Sequence, residues 1–210
     1  DEIVNENKVG IAYQEGNNRV CILFMGNHSR EFSGEILEIC QEIKNKVKEV
    51  IGIEVSAGIG GWVKNPGEAV KSHHQAEKAI ELRYLLGGNL LIDTEILEQD
   101  RSLSLQKPLS DMIDGIKNGD EKKMDHALEV MKDAIKTARV DKSQACVCLQ
   151  MILRHAGSCW ENFSSEAEDL FHKRELLVKE MTEQKTFGEA FEMAESYVHE
   201  VFKSCSSLNS

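Results

Sequence analysis

Hydrophobic and polar positions change their period within residues 53–92. Ile53, Val55 and Ala57 alternate with polar residues, which is the pattern of a half-buried strand. From about residue 68 to residue 86 the apolar and small residues recur three and four positions apart. That spacing predicts one long helix whose narrow face of small side chains can lie close against a sheet. The face consists of Ala69, His73, Ala76, Ala79, Ile80 and Tyr84.

Glycines separate these two elements and end the helix. Gly58, Gly60 and Gly61 follow the strand and predict a turn, because a side chain would obstruct the backbone there. Gly87-Gly88 predicts the end of the helix, and residues 90–92 begin the next strand. The order strand, helix, strand makes this stretch the centre of the predicted fold.

A hairpin and another helix come before this stretch. Residues 8–14 and 19–25 predict two strands joined by a turn at residues 15–18. Both sides of the second strand are apolar, which predicts a central strand covered by helices. Residues 34–50 then predict a helix with a stripe that faces the core, formed by Ile36, Ile39, Cys40, Ile43, Val47 and Val50.

The second half of the chain predicts helices alone. Segments with helical spacing run at about residues 109–118, 120–139, 145–163, 166–183 and 187–205. Gly119 ends the first helix, and Asp120 caps the second. The T-x-x-E spacing of Thr186 and Glu189 predicts a capping box at the start of the last helix. We place the boundary between the two halves near residues 100–107.

The motif of the central stretch resembles a known family. The pattern S-x-G-I-G at residues 56–60, followed by A-x-x-A-I and G-x-N, resembles the C-terminal half of GGDEF domains, the diguanylate cyclase fold. The matching positions of the second part are Ala76, Ala79, Ile80, Gly87 and Asn89. The segment SHHQAEKAIELRYLLGGNLLI is similar to the degenerate GGDEF-like middle domain of AraC-type, YesN-like transcriptional regulators of Gram-positive bacteria. Related domains occur in CdaR- and PucR-type regulators.

The resemblance implies an α+β fold. A GGDEF-like (ferredoxin-like, adenylyl-cyclase-like) domain with a small antiparallel sheet and helices would occupy residues 1–99. An all-α helical regulatory or linker domain would occupy residues 106–210. Residues of the second half also resemble the segment that opens the helical linker of these regulators, namely Met112, Ile113, Ile116, Asn118, Gly119 and Asp120. In that family the DNA-binding helices would begin where this sequence ends, so DNA recognition would belong to a domain outside this chain.

The signature that gives the GGDEF family its name falls on the hairpin turn. Placed residue by residue, it occupies Gly16, Asn17, Asn18, Arg19 and Val20, so an amide and a guanidinium replace both carboxylates. Metal-assisted phosphoryl transfer needs acidic oxygens that hold Mg²⁺ against the triphosphate. We therefore expect no cyclase activity and no enzyme.

The family also places a strand with another metal-binding aspartate ahead of this hairpin, and only seven residues precede the first predicted strand. The chain begins at Asp1 rather than methionine, and we interpret it as a piece of a longer protein. The missing strand either lies in that longer protein or is supplied by a partner chain.

Composition narrows the classes of partner. The formal net charge is −11 at pH 7, and a surface so acidic repels the phosphates of DNA. No apolar run approaches the roughly 20 residues that span a bilayer, so we expect no membrane segment. The six cysteines lack the pattern of a small secreted domain, which favours reduced thiols and a cytoplasmic location.

One helical face carries candidate metal ligands. Cys148, His155 and Cys159 share a face of the apolar helix at residues 145–163, where thiolates and imidazole suit a soft metal or haem. A buried helix with small cysteines and one hydrogen-bonded histidine is the simpler interpretation. A metal or haem sensor built on this face is our alternative hypothesis of a different functional class.

Four residues are candidates for ligand binding. Trp62 follows the glycine segment and can stack on a ligand or pack on the sheet. Arg19 can attract a phosphate, and His73 can take a pH-sensing or metal role, although a core histidine is the simpler interpretation. Trp160 ends the most apolar helix, where core packing is again simpler.

The leading hypothesis is a non-catalytic sensory, effector-binding and dimerisation fragment of an AraC-family regulator. It would form a homodimer and bind a small-molecule effector whose identity the sequence does not give. The same fold used as a binder of a nucleotide or small metabolite is the third hypothesis.

Overall fold

The structure is a computed structural model, and it describes residues 10–94, 102–160 and 167–208. These residues fall into two compact units. The first unit takes in residues 10–80 and 88–94, and the second takes in residues 81–87, 102–160 and 167–208. The predicted fold class is confirmed, because strands and helices mix in the first unit while the described part of the second is all helical. The domain limits at residues 99 and 106 stay a prediction, since residues 95–101 lie outside the described residues.

The first unit contains two small pairs of strands. Strand β1 (Gly10–Glu15) pairs antiparallel with β2 (Arg19–Phe24), and β3 (Ala57–Ile59) pairs in parallel with β4 (Leu91–Asp93). Helix α1 (Arg30–Ile51) joins the hairpin to β3. A short 3₁₀ turn (Pro66–Glu68) leads into α2 (Ala69–Glu81).

The hairpin is confirmed, but its surroundings differ from the prediction. Within the described residues β2 has β1 as its neighbour and is not a central strand. Val20 is 69% exposed on β2, and Ile11 is 57% exposed on β1. The apolar pattern therefore predicted the strand correctly but not its burial. The first residues of the predicted hairpin strand, 8 and 9, lie outside the described residues.

Helix α1 starts earlier than its hydrophobic stripe indicated. Ser29 caps it, because the Ser29 hydroxyl accepts a hydrogen bond of 3.1 Å from the backbone N–H of Phe32. Val50, predicted to face the core, is 70% exposed, whereas Lys44 is buried. The Lys44 ammonium donates a 2.8 Å hydrogen bond to the carbonyl of Asn89, so the charge of this helix residue has a partner inside the unit.

The central strand and helix both differ from the sequence prediction. Strand β3 pairs at residues 57–59, later than the predicted residues 53–57, and the predicted glycine turn is thus partly strand. The predicted long helix is interrupted at Leu82, and α3 (Arg83–Leu86) follows as a separate short helix that belongs to the second unit. The predicted helix end is confirmed at Gly87, which has a φ of 94°.

The second unit is organised around its last helix. Its other elements are α4 (Gln106–Asn118), α5 (Glu121–Ala138), α6 (Lys142–Trp160), α7 (Ala167–Glu183) and α8 (Phe187–Leu208). Helix α8 packs against each of α3, α4, α5, α6 and α7. The fully buried side chains at its centre are Met112, Ile116, Met124, Leu128, Met131, Ile135, Leu149, Ile152, Leu153, Phe187 and Phe191.

The predicted helix boundaries of this unit are confirmed where capping chemistry was visible in the sequence. Gly119 ends α4 with a φ of 67°, and the Asp120 carboxylate accepts from the N–H of Lys123. Thr186 and Glu189 form the predicted capping box, with hydrogen bonds of 3.0 and 3.3 Å. Residues 161–163 and 166 of the predicted helices lie outside the described residues. Across the described chain, no helix has the length and apolar content that crossing a bilayer requires.

The first prediction concerns the contact of α2 with β3. A Cβ on Gly58 would overlap the backbone carbonyl of Ala76, so Gly58→Ala forces the helix away from the strand. We expect it to lower the free energy of unfolding of the first unit by about 1–3 kcal/mol, as overpacking does. Urea unfolding followed by tryptophan fluorescence in a Trp160→Phe background measures this, because Trp62 then reports alone.

Gly34→Ala is the matched control. A Cβ at Gly34 meets no atom within 4 Å, and Gly34 lies inside α1. Alanine there should raise stability by about 0.5–1 kcal/mol. Equal effects of the two substitutions would contradict the close approach of α2 to β3.

Candidate functional site

Helix α2 lies unusually close to β3, and glycines make this possible. A Cβ on Gly58 would strike the carbonyl of Ala76, and one on Gly60 would strike the carbonyl of Ser72. Gly61 donates its backbone N–H to the Gln75 side chain at 3.0 Å. The glycines thus provide space for a helix rather than the predicted turn.

The close approach decides which side chains of α2 point toward the hairpin. His73 and Glu77 directly follow Ser72 and Ala76, the two residues whose carbonyls face the glycine segment. Each therefore lies about 100° around the helix axis from the residue that makes that close contact. His73 Nε2 lies 3.2 Å from Glu15 Oε1, and His73 Nδ1 lies 3.9 Å from Cys21 Sγ. Glu77 Oε1 lies 3.0 Å from the Arg19 guanidinium. Two neighbouring turns of α2 therefore contact the hairpin through polar groups.

The hairpin register brings its own residues to the same face. Cys21 pairs with Tyr13, and Arg19 pairs with Glu15, so all four side chains alternate to one side. The Cys21 thiol donates to Glu15 Oε2 at 3.2 Å across this diagonal. We call Glu15, Arg19, Cys21, His73 and Glu77 the hairpin–helix cluster.

The cluster is polar and only partly shielded from water. The His73, Glu15 and Glu77 side chains are 30%, 36% and 34% exposed. Hydrogen bonding from His74, together with the nearby His73 and Arg19, holds the pKa of Glu77 below its ordinary value. Burial, and next the hydrogen bond to Glu15, raises the pKa of the Cys21 thiol.

Two of the four predicted ligand-binding residues meet in this cluster. Arg19 and His73 both lie against Glu77, at 3.0 and 3.9 Å. Trp62 is 43% exposed, stacks on His28 at 5.3 Å and meets the edge of Phe32. Ligand binding by these residues stays a prediction.

The fourth predicted residue, Trp160, lies in the second unit. It is 5% exposed, and its indole N–H has no hydrogen-bond partner among the described residues. Burial of this kind fits the core interpretation from the sequence. A ligand role for Trp160 stays a prediction.

The predicted metal ligands of α6 do not come together. Cys148 and Cys159 are buried, and the Cys159 thiol donates to the backbone carbonyl of His155 at 3.5 Å. Helical rise separates Cys148 from His155 by about 10 Å, because seven residues advance about 1.5 Å each. Burial raises the pKa of both thiols, which favours their neutral form. Among the described residues, the group of three whose ligand atoms lie within 4.8 Å of one another is Glu15, Cys21 and His73.

The second unit also has an open cleft of about 410 Å³ between α7 and α8. The ion pair of Lys173 with Glu200 lies at this cleft. The remaining lining is mixed, with apolar Leu177, Met193 and Tyr197 beside polar Gln184, Glu189, Glu192 and Ser196. The cleft is a second place where a small molecule has both apolar and polar surface to contact.

Comparison with known proteins supports the GGDEF-like part of the fold. The GGDEF-like domain family matches residues 2–82 of this chain. The uncharacterized HTH-type transcriptional regulator YtdP of Bacillus subtilis (strain 168) is 24% identical over 160 residues. That alignment covers 75% of this chain but 21% of the relative, so the chain spans about a fifth of that protein's length. No solved structure matches the chain.

Sequence reasoning missed three members of the cluster. Glu15, Cys21 and Glu77 were not singled out, because their meeting depends on the hairpin register and on the placement of α2. The alternation of the two hairpin strands, continued to Glu15, is the one sequence signal that places Glu15 and Cys21 on the same face. No spacing rule links either residue to His73, which lies 52 positions beyond Cys21.

The second prediction uses the environment of Cys21. Cys21 is half-buried whereas the other five cysteines are buried, so iodoacetamide should modify Cys21 first in the folded protein. Because the pKa of Cys21 is raised, the residue has less thiolate at neutral pH than a free cysteine has. The labelling rate should therefore continue to increase as the pH passes 9.0, the ordinary pKa of a thiol. Peptide mapping by mass spectrometry at several pH values measures the rate. Faster labelling of Cys148 or Cys159 than of Cys21 would show the assigned burial to be wrong.

Proposed function

We propose that this chain is a non-catalytic regulatory segment of an AraC-family transcriptional regulator. The observation that carries the proposal is the alignment of three quarters of the chain with a protein named as an HTH-type transcriptional regulator. The match of residues 2–82 to a GGDEF-like domain agrees with it, because the resembled regulators carry such a domain. In this proposal a separate DNA-binding domain lies outside these 210 residues.

The hairpin tip supports a non-catalytic role. Gly16 has a left-handed backbone with a φ of 64°, and in the proposed alignment Asn18 and Arg19 take the positions of the family carboxylates. Arg19 is held at 3.0 Å by Glu77, which pairs the guanidinium with a carboxylate. A guanidinium repels a divalent ion where a cyclase would hold Mg²⁺.

Charge and thiol chemistry support the rest of the proposal. A net charge of −11 makes the segment itself a poor ligand for DNA, so it acts on DNA through the other domain. Six free thiols suit a reducing cytoplasm. The effector is a small molecule, and the cleft between α7 and α8 offers one place for it.

Exposed apolar side chains support self-association. Ile11, Tyr13, Val20 and Met25 of the hairpin region are between 50% and 69% exposed. By the hairpin register, Ile11 and Tyr13 lie on the face that also carries Cys21, while Val20 lies on the opposite face, so both faces expose apolar surface that a second copy could contact. We therefore include homodimer formation in the proposed function.

The third prediction tests the non-catalytic part. Incubation of the chain with GTP and Mg²⁺ should give no cyclic dinucleotide, even at high protein concentration, because Asn18 and Arg19 cannot hold the metal. Chromatography with mass detection measures the product, with an active GGDEF-domain cyclase assayed in parallel as the control. Weak nucleotide binding is compatible with the proposal, since Arg19 can attract a phosphate. A detectable product would overturn it.

The fourth prediction tests self-association. Light scattering after size exclusion should give a mass near twice that of one chain at micromolar concentration. Val20→Asp places a charge on the exposed part of the hairpin and should shift the equilibrium toward monomer, while the matched control Lys46→Asp on an exposed site of α1 should not. A monomer at all concentrations would remove dimerisation from the proposed function.

A further inference from the structure

Three side chains of the hairpin–helix cluster offer the atoms that a zinc-class ion uses. Cys21 supplies a thiol, His73 an imidazole and Glu15 a carboxylate, each from a different element of the first unit. Cys21 Sγ lies 3.2 Å from Glu15 Oε2 and 3.9 Å from His73 Nδ1. All three ligand atoms lie within 4.8 Å of one another.

We propose that the hairpin–helix cluster binds a divalent transition-metal ion of the Zn²⁺ class through Cys21 Sγ, His73 Nδ1 and a carboxylate oxygen of Glu15. This site differs from the α6 face that the sequence suggested. It also differs from the turn positions of Asn18 and Arg19, where the cyclase signature falls. Its existence does not depend on the proposed regulatory function.

The spacing of the three atoms suits a tetrahedral ion. Zinc–ligand bonds of about 2.0–2.3 Å at tetrahedral angles place neighbouring ligand atoms about 3.3–3.8 Å apart. The two separations of 3.2 and 3.9 Å from Cys21 lie on either side of that range. Glu15 contacts the other ring nitrogen, His73 Nε2, at 3.2 Å, so an ion bound at Nδ1 requires the Glu15 carboxylate to turn toward Nδ1.

The chemistry of the ligands selects the class of ion. Thiolate and imidazole are soft or borderline ligands that favour Zn²⁺ over Mg²⁺ or Ca²⁺, which prefer oxygen. When the ion binds, the Cys21 thiol loses one proton to solvent and becomes a thiolate. The two negative charges of Cys21 and Glu15 then balance the charge of the ion, while Arg19 and Glu77 remain a neutral pair beside it.

A second carboxylate lies near the histidine and can act as its outer shell. His73 Nε2 lies 3.2 Å from Glu15 Oε1 and 3.9 Å from Glu77 Oε1, so Glu77 is the carboxylate left beside this nitrogen once Glu15 binds the ion. Glu77 is itself held by Arg19 at 3.0 Å and by His74 at 3.2 Å. A carboxylate on the second nitrogen orients metal-binding histidines in this way and makes them more basic.

Partial exposure leaves a fourth position for water. Glu15 and His73 are about one third exposed, so the ion can enter and leave without opening the unit. Once bound, it joins β1 and β2 to α2 through three side chains. Because the ion binds the folded state, it should also raise the melting temperature of the protein.

The fifth prediction tests this site with metal alone. The reduced, chelator-treated chain should bind one Zn²⁺ in competition with a chromogenic chelator. With Co²⁺ it should show a thiolate-to-cobalt charge-transfer band together with the visible bands of a tetrahedral site. Cys21→Ser should abolish the charge-transfer band. Loss of an outer-shell partner typically weakens metal binding by about 10- to 100-fold. Because His73 and Glu15 are direct ligands in this proposal, His73→Gln and Glu15→Gln should each weaken Zn²⁺ binding by more than that.

Matched variants separate this site from the alternatives. Cys148→Ser and Cys159→Ser should keep the cobalt band and the affinity, because both residues belong to α6 and neither is a proposed ligand. Loss of the band in Cys148→Ser or Cys159→Ser with its retention in Cys21→Ser would overturn the proposal in favour of the α6 face. Absence of stoichiometric Zn²⁺ binding by the unmodified chain would also overturn it.

A measurement on the unmodified protein guards against misfolded variants. Zn²⁺ should slow the alkylation of Cys21 and leave the labelling of Cys148 and Cys159 unchanged. Equal labelling of Cys21 with and without Zn²⁺ would contradict binding at this cluster. A failure of the dinucleotide or self-association predictions would leave these metal results unaffected, so the two proposals fail separately.

Discussion

The first unit depends on how closely α2 can approach β3. The carbonyl of Ala76 faces Gly58 of β3, and the carbonyl of Ser72 faces Gly60, the residue that directly follows the strand. Any larger residue would lift the helix and turn His73 and Glu77 away from the hairpin, since both follow directly on those residues. The absence of side chains at Gly58 and Gly60 thus determines where the polar groups of α2 lie. The glycines of the sequence thereby bring His73 to Glu15 and Cys21, the group among the described residues whose three ligand atoms lie within 4.8 Å of one another.

The second unit obeys a different constraint. Helix α8 contacts each other helix of that unit, so its buried face sets the positions of α3 to α7. Phe187 and Phe191 fill the space between them, and the Phe187 ring meets Tyr84 of α3 edge-on at 6.4 Å. Tyr84 is buried, and this burial, followed by the neighbouring Cys146 thiol, raises its pKa. The short helix α3 is therefore held by aromatic packing rather than by its own length, because four residues cannot sustain an isolated helix.

The two kinds of packing suggest a division of roles under the proposed function. The helical unit has a large, dry core of methionine, leucine and phenylalanine side chains. The first unit has few buried large side chains and keeps polar groups on the inner side of its hairpin. Segments with fewer buried apolar contacts open at lower free energy and respond more readily to ligands. A metal that joins the hairpin to α2 would strengthen the part of the protein that its own core supports least.

The sequence by itself determined the elements whose signals are local. Capping residues such as Asp120 and Thr186, the helix stop at Gly119 and the alternation of the hairpin all act over three or four positions, and the structure confirms each. The fold class also followed from the sequence. The motif around Ala76 has the spacing of a GGDEF-like α+β domain, and the residues after 106 have helical spacing alone.

Tertiary structure alone decided the burial of the hairpin, the role of the glycines and the membership of the cluster. Apolar alternation shows which residues of β2 share a face, but it does not show whether a helix covers that face. Val20, which was predicted to be covered, is exposed. Gly58 proved to serve helix packing, because its neighbour Ala76 lies 18 positions away and no local rule connects them. Cys21 and His73 meet for the same reason. The three-dimensional path of the chain, rather than residue spacing, brings their atoms within reach of one ion.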